Sequence, residues 1–341
     1  MTRRPRYFSS PLSFAARIKN LRGLTLSRQA YFIIAAVALG SLVMIVLTGA
    51  AVRLTGSGLG CPAWPKCYDN QVYAAADFNA IVEFGNRVFT GFVGVAVIAA
   101  SVLVFRRRPF RPHLAIFAVL LPIGVVCQAV LGALVVEYDL KPGLVMMHFI
   151  LSMLLLDAAF ALAWCSRFEP GERRFSDDRL GVWAVRCLIP LGQLTILAGT
   201  ISTASGPHPG DHDGEIVQRF DFKGGDTLQW AVERHAVIAA IFGFAAIAVV
   251  FLLRRRGGDR RALKPLLVVI GMLGLQGVVG AVQWYSELPA GIVWVHIAIA
   301  TLTWVAMLWT VGAAGRLRPS EETANAPPDR AAGREPEGVG A

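Results

Sequence analysis

The sequence contains little charge. Only 16% of its 341 residues are Asp, Glu, Lys or Arg, and 55% are hydrophobic; an average soluble domain is about 25% charged. This composition excludes most soluble proteins, and the apolar content excludes a disordered chain. Cysteine is also scarce, because five in the whole chain are far too few for a secreted scaffold held by disulfides. The class that remains is a polytopic membrane protein.

Eight apolar runs are long enough to cross a bilayer, for which a helix needs about 20 residues. They cover residues 30–52, 82–105, 114–136, 143–165, 182–202, 228–253, 265–285 and 290–311. Arg186 and Pro190 interrupt the fifth run, which makes it the weakest of the eight. The runs predict an all-α polytopic membrane protein with eight transmembrane helices.

The basic residues predict the orientation of these helices. Lys and Arg total 33 against 23 acidic residues, a net charge of +10. Of the 33, 26 lie in the amino-terminal arm, the tail and every second connection, and such residues are retained on the cytoplasmic side. We therefore predict a multi-pass protein of the plasma membrane with both termini cytoplasmic. The positive charge is topological, so membrane lipid and not nucleic acid is the expected partner.

The chain contains an internal repeat. The segment Gln128-Ala-Val-Leu-Gly-Ala-Leu-Val matches Gln276-Gly-Val-Val-Gly-Ala-Val-Gln at an offset of 148. Offsets of 148 to 150 also pair His148 with His296, Asn86 with His235, and Gly49 with Gly199. An even number of spans per copy preserves orientation, so we predict two pseudo-symmetric, parallel four-helix bundles.

The repeat and the composition together predict five regions. Residues 1–29 form a basic cytoplasmic arm, 30–165 the first four-helix half, 166–181 a cytoplasmic linker, 182–312 the second half and 313–341 a disordered cytoplasmic tail.

Three of the six histidines, His148, His235 and His296, lie inside spans. Each is five to seven residues from the predicted outer end of its helix, roughly 9 Å deep at about 1.5 Å per residue. A lone buried histidine usually forms a hydrogen bond between helices, because an unpaired polar group is costly in hydrocarbon. Three histidines at one depth, two of them related by the repeat, favour ligation instead, with active sites toward the outer face.

The two halves differ in these ligands. His235 and His296 belong to one half, and facing histidines on neighbouring helices are typical ligands of a low-spin haem. A transition metal is disfavoured, since no carboxylate or thiolate cluster shares their depth. In the other half Asn86 stands where a partner for His148 is expected, and an amide cannot ligate haem iron as imidazole does. We therefore predict one bis-histidine site and one site with an open coordination position.

Three further groups each have two readings. Glu83 shares a helix face with Asn86 and is either a solvated helix end near the positive dipole or an acid, base or cation-stabilising group. Cys61 and Cys67 lie in the first outer loop, close enough to form either a structural clamp or a redox-active pair. Near the outer ends, three arginines either pair with haem propionates or extend to the interface. These are Arg53, Arg87 and Arg234.

The motifs resemble those of the haem A synthase family. They are the run from Gly49 through Arg53-Leu-Thr-Gly-Ser-Gly-Leu-Gly-Cys to Cys67, Glu83-Phe-Gly-Asn-Arg87, Gln128 to Gly132 with His148, and the later His235 and His296. The resemblance implies haem b between the last two histidines. It also implies haem O as the substrate in the first half, with His148 as its ligand, Glu83 required for the chemistry, and a disulfide between Cys61 and Cys67.

The resemblance further implies an oxidoreductase that converts the C8 methyl group of haem O to the formyl group of haem A, for cytochrome c oxidase assembly. Haem O synthase is then the expected donor, and self-association is left open. The chain departs from the family at Asn86, where many members have histidine, and lacks a second cysteine pair that some members have. The alternatives are a quinol-linked di-haem electron-transfer protein of the cytochrome b kind and a transporter, which would hold no tightly bound chromophore.

Overall fold

The computed structural model describes residues 25–169, 171–173, 175–211, 217–257 and 260–317. The predicted amino-terminal arm and disordered tail lie almost wholly outside these residues.

Helices dominate the described part of the chain. They are α1 (Arg28–Leu54), α2 (Phe78–Leu103), α3 (Pro112–Glu137), α4 (Pro142–Ser166), α5 (Arg179–Arg186), α6 (Leu188–Ser205), α7 (Thr227–Arg256), α8 (Leu263–Tyr285) and α9 (Ala290–Ala313). Within the described residues they form eight segments long and apolar enough to cross a membrane, which confirms the predicted number. The two-residue strands β1 (Phe175–Ser176) and β2 (Arg316–Leu317) pair in parallel.

The fifth span is two helices and not one. Helices α5 and α6 meet at Cys187, and together they cover Arg179–Ser205. Pro190 lies in the first turn of α6, where the missing N–H removes no intrahelical hydrogen bond. The interruption noted at Arg186 and Pro190 therefore marks a break between helices inside a single span.

Helix contacts place α2 opposite α4, and α7 opposite α9. In the first half α1 and α3 each contact both α2 and α4. In the second half α6 and α8 each contact both α7 and α9. The halves meet where α1 and α4 contact α9 and where α4 contacts α6. Side chains on α2 and α4, or on α7 and α9, can thus face each other across a four-helix interior; the symmetry of the whole halves stays a prediction.

Two turns separated by 148 residues share an unusual backbone. In each, two consecutive non-glycine residues have positive φ, which is rare outside glycine. They are Asp139 and Leu140 at 50° and 55°, and Glu287 and Leu288 at 62° and 60°. The second amide of each pair donates to a carbonyl five residues back, at 2.8 and 2.7 Å. The repeat is therefore present in the local backbone, and it starts α4 and α9 six residues before His148 and His296.

The two ends of the helices differ in their connections. We call the end with the connections 55–77, 138–141, 206–226 and 286–289 the cysteine-loop face, and the other end the arginine face. At the arginine face the fully buried Arg107 forms an ion pair of 2.9 Å with Glu169. Large apolar side chains such as Phe244 and Val95 point outward, 72% and 68% exposed, as expected of surfaces that contact lipid. Which face is cytoplasmic stays a prediction.

Candidate functional site

His235 on α7 and His296 on α9 face each other in the second half. Their ring centroids are 6.3 Å apart and their planes are inclined by 69°. The Nδ1 atom of His235 donates a hydrogen bond to the backbone oxygen of Thr195, at 3.1 Å. Such a bond to a backbone carbonyl fixes the ring and leaves Nε2 available to ligate a metal. The predicted pair is therefore brought together at one point.

The spacing of these rings fits an intervening metal ion. With metal–nitrogen distances of about 2 Å on both sides, two imidazole centroids would lie about 6 Å apart. The Nδ1 atom of His296 is buried and has no hydrogen-bond partner among the described residues. No hydrogen bond within the described part of the chain therefore fixes this ring as Nδ1 fixes that of His235, and coordination through Nε2 would hold it in place, although Nδ1 would stay unpaired. His235 and His296 could thus hold a haem iron.

His148 on α4 has the same setting as His296. The amide of Gln128 donates to the backbone oxygen of His148 at 2.9 Å, and that of Gln276 to the backbone oxygen of His296 at 3.0 Å. A Cβ atom added at Gly132 would lie 3.5 Å from Cε1 of His148, and the repeat-related contact in the second half is 3.4 Å. Nδ1 of His148 is likewise buried without a partner among the described residues. The two imidazoles are seated alike, on repeat-related residues.

Asn86 on α2 is held by a residue that the sequence analysis did not single out. The hydroxyl of Thr48 on α1 lies 2.8 Å from Oδ1 of Asn86 and 3.3 Å from the backbone oxygen of Ile45. Asn86 takes the place that His235 has in the second half, so the first half has one imidazole and one amide. This arrangement is consistent with the predicted chemical difference between the halves.

Glu83 is buried on α2 and is turned toward the first loop of the cysteine-loop face. Its Oε2 atom accepts a hydrogen bond from the backbone N–H of Cys61 at 2.8 Å. Its Oε1 atom forms an ion pair with Arg87 one turn later. Glu83 is therefore neither a solvated helix end nor a free carboxylate, because both oxygens have strong donors.

Arg87 uses all five of its N–H donors in this arrangement. Two reach Oε1 of Glu83, one of them from Nε at 3.1 Å. The others reach the backbone oxygens of Cys61, Ala63 and Lys66, at 2.9, 2.7 and 2.9 Å. The planar fork of arginine suits such a set of directed bonds. A haem propionate would have to displace one of them, so the suggested role of Arg87 as a propionate partner finds no support here and stays a prediction.

The other two arginines have different settings. Arg53 donates from Nε to the backbone oxygen of His208 and from one Nη to that of Thr203, both at 2.9 Å, and so connects α1 to the second half. Arg234 is exposed, and its guanidinium lies 5.9 Å from the ring centroid of Trp230. Arg234 is thus the arginine of the three that is best placed to pair with a propionate, a role that also stays a prediction.

The disulfide between Cys61 and Cys67 is formed, and both residues are fully buried. The loop that it closes packs against α2, and an added Cβ at Gly60 would lie 2.5 Å from the backbone of Asn79. Only glycine permits this approach. The disulfide therefore closes an ordered loop over Glu83, and a redox-active role of the cysteine pair stays a prediction.

Three features of the site were not anticipated from the sequence. The first is the hydroxyl of Thr48, the second is the set of loop carbonyls around Arg87, and the third is the glycine beneath each imidazole. The third could have been found from the sequence, because Gly132, Gly199 and Gly280 are all matched in the repeat. The first two could not, since their partners lie 21 to 38 residues away in the chain.

The fold and the site together define an α-helical membrane protein with paired intramembrane histidines beside a disulfide-closed loop. A model of the COX15-CtaA family, cytochrome oxidase assembly proteins, matches residues 32–206, which is just over half of the chain. The chain belongs to this family, and it is a multi-pass membrane protein.

Relatives named "Heme A synthase" are similar over parts of the chain. The protein from Halalkalibacterium halodurans is 28% identical over 132 residues, which are 38% of this chain and 44% of the relative. That from Bacillus licheniformis is 22% identical over 267 residues, 75% of this chain and 86% of the relative. That from Bacillus mycoides is 29% identical over 133 residues, 39% of this chain and 42% of the relative. Two of these matches thus span less than half of the relative.

Proposed function

We propose that this protein is a haem A synthase that oxidises the C8 methyl group of haem O to a formyl group. The proposal rests on one difference between the two halves. Their histidines His148 and His296 are packed alike, but the residue in the second ligand position differs. His235 and His296 offer two imidazoles at a spacing that fits an iron, whereas in the first half Asn86 stands at the position that the repeat relates to His235. A protein with two electron-transfer haems would not need two different sites. An enzyme that binds one haem as its cofactor and another as its substrate does.

The reaction converts a methyl group into a formyl group by two hydroxylations and loss of water from the resulting gem-diol. In each hydroxylation a hydroxyl group from water would replace a hydrogen of the carbon, with release of two electrons and two protons. His235 and His296 would hold a haem b, and that group would supply one-electron transfer to an external acceptor. His148 would hold the iron of haem O. In the second half, the exposed guanidinium of Arg234 would pair with a propionate of haem b.

Glu83 would stabilise positive charge that develops at the reacting methyl carbon. Both of its oxygens are bonded, to Arg87 and to the backbone of Cys61, so it stays in place without rearrangement. Preorganised charge of this kind is often the largest single contribution to catalysis. A role as a base toward water would require the loss of one of these bonds, which favours the electrostatic role.

The first test is mass analysis of pigments extracted from cells that also make haem O. Wild-type protein should yield haem A. Glu83→Gln keeps an acceptor for Cys61 but loses the charge, and we expect product to fall by about two orders of magnitude or more with haem content unchanged. If haem A still accumulates at the wild-type level, the role of Glu83 is wrong.

The second test separates the two sites by their spectra. His235→Ala and His296→Ala should each abolish a low-spin haem b signal, whereas His148→Ala should spare it and remove haem O. An unchanged low-spin spectrum in the first two variants would contradict the ligand assignment. Wild-type protein that binds both haems and accepts electrons from quinol, but never forms haem A, would support the electron-transfer alternative.

A further inference from the structure

The first half contains space where the second half contains an imidazole. A Cβ added at Gly199 would lie 3.0 Å from Cε1 of His235, because that ring rests on the glycine. Gly49 is related to Gly199 by the repeat, and an added Cβ there would meet nothing within 4 Å. The shorter side chain of Asn86 therefore leaves room beside Gly49.

The hydroxyl of Thr48 fixes the orientation of the Asn86 amide. A hydroxyl has one proton to donate, and its distance of 2.8 Å to Oδ1 of Asn86 is shorter than the 3.3 Å to the oxygen of Ile45. Oδ1 of Asn86 is thus engaged, and the Nδ2 group with its two N–H donors points elsewhere. Nδ2 has no hydrogen-bond partner among the residues that the structure describes.

These two observations disfavour Asn86 itself as a ligand and leave a donor beside a space. The amide oxygen, which is the atom that could coordinate iron, is bonded to Thr48. The hydrogen-bond donors and the steric access on the side opposite a proximal histidine decide what a haem iron binds there.

We propose that the side of the site opposite His148 is a pocket for a small exogenous ligand with a lone pair, such as water. Asn86 donates a hydrogen bond to this ligand, Gly49 provides the space, and Thr48 orients the amide. The inference rests on the proposed binding of haem O by His148. It states what would occupy the coordination position that His148 and Asn86 leave open.

The test uses the full-length protein loaded with haem in both halves, with carbon monoxide as the probe of the reduced iron and cyanide as the probe of the oxidised iron. One haem should be high-spin and bind both probes, and His148→Ala should remove it. The haem of His235 and His296 should stay low-spin and inert, and its spectrum also reports that each variant is folded.

Substitutions at Asn86 test two properties separately: the open coordination position of the iron and the hydrogen bond from the amide to the bound ligand. Asn86→His should supply the missing imidazole, so the first haem should become low-spin and lose carbon monoxide binding. Asn86→Leu is of similar size without a donor. It should keep carbon monoxide binding, shift the C–O stretch to higher frequency and weaken cyanide binding about three- to tenfold. Thr48→Val should shift the stretch in the same direction, because the amide is no longer held.

Gly49→Ala tests the space independently of any hydrogen bond, since its methyl group should slow carbon monoxide association. Gly40→Ala is the matched control, because it lies on the same helix, is exposed and has nothing within 4 Å.

The possible failures are distinguishable. A haem on His148 that is low-spin and inert in the wild-type protein overturns this inference alone. An Asn86→Leu variant with an unchanged stretch overturns the role of the amide. If no haem depends on His148, the proposed substrate site fails and the inference fails with it.

Discussion

At the scale of single residues, three glycines lie against the three intramembrane imidazoles. An added Cβ would be 3.5 Å from His148 at Gly132, 3.0 Å from His235 at Gly199 and 3.4 Å from His296 at Gly280. Close packing of this kind holds a ring in one orientation, because interiors transmit small volume changes to their neighbours. The glycines therefore take part in setting the direction of each imidazole.

Gly199→Ala should displace the imidazole of His235 by a few tenths of an ångström, because an added Cβ would lie 3.0 Å from its Cε1 atom. The low-spin haem b signal should then change in its electron paramagnetic resonance g values and its midpoint potential, because both depend on the orientation of the axial ligand. Gly277→Ala is the control, since it lies on α8 of the same half and an added Cβ there has nothing within 4 Å. Identical spectra for the two variants would show that the contact between the glycine and the imidazole does not influence the ligand.

The histidines were predictable as residues, but Thr48 was not. A histidine in an apolar run is rare and costly, so its position alone indicates a function. A threonine in an apolar helix is ordinary, because its hydroxyl can bond to a carbonyl three or four residues back. Thr195 and Thr203 do so, at 2.8 Å each. Only the packing of α1 against α2 distinguishes Thr48 from them.

At the scale of helices, the apolar runs predicted the spans to within a few residues at most ends. The run at 30–52 became α1 (Arg28–Leu54), and the run at 290–311 became α9 (Ala290–Ala313). Hydropathy succeeds here because the bilayer sets a minimum length of apolar chain. It did not resolve α5 from α6, because a short break between helices changes the mean hydropathy little.

A buried polar contact joins α4 to α9 where the halves meet. The indole N–H of Trp304 donates to Oδ1 of Asp157 at 2.7 Å. Both residues lie well inside their spans, 15 residues after Pro142 and 14 after Ala290. A carboxylate in this setting requires a donor, so the contact specifies how the two helices are paired.

Trp304→Phe should destabilise the protein by about 1–3 kcal/mol, because it leaves a partly buried acceptor without its donor. Thermal unfolding in detergent measures the loss. The double variant Asp157→Ala with Trp304→Phe should lose less than the sum of the two single variants, since neither partner is then left unpaired. Strict additivity would mean that the contact contributes nothing to stability.

At the scale of the whole molecule, several contacts across the cysteine-loop face connect the first half to the second. Arg53 donates to carbonyls of the second half, and the amide of Gly58 donates to the backbone oxygen of Gly210 at 2.8 Å. The indole of Trp294, two residues before His296, donates to the backbone oxygen of Leu47 at 2.9 Å. The two sites are thus held near one seam.

Arg53→Met should lower the free energy of unfolding by about 3 kcal/mol or more, since it removes two charge-assisted hydrogen bonds and leaves two carbonyls without this donor. Chemical or thermal unfolding of the haem-free protein measures it. Arg255→Met is the matched control, because Arg255 is exposed at the arginine face. Equal stability of the two variants would show that Arg53 does not hold the halves together.

The sequence by itself determined the number of spans, the local repeat, and the residues on which a haem site could be built. These properties are one-dimensional, because bilayer thickness acts on the length of each apolar run and duplication leaves matched residues at a constant offset. The tertiary structure alone decided that Glu83 and Arg87 turn toward the disulfide loop, that Arg53 reaches across to the second half, and that Thr48 turns the amide of Asn86. Each of these depends on the rotation and packing of helices distant in the chain, which no periodicity along the sequence encodes.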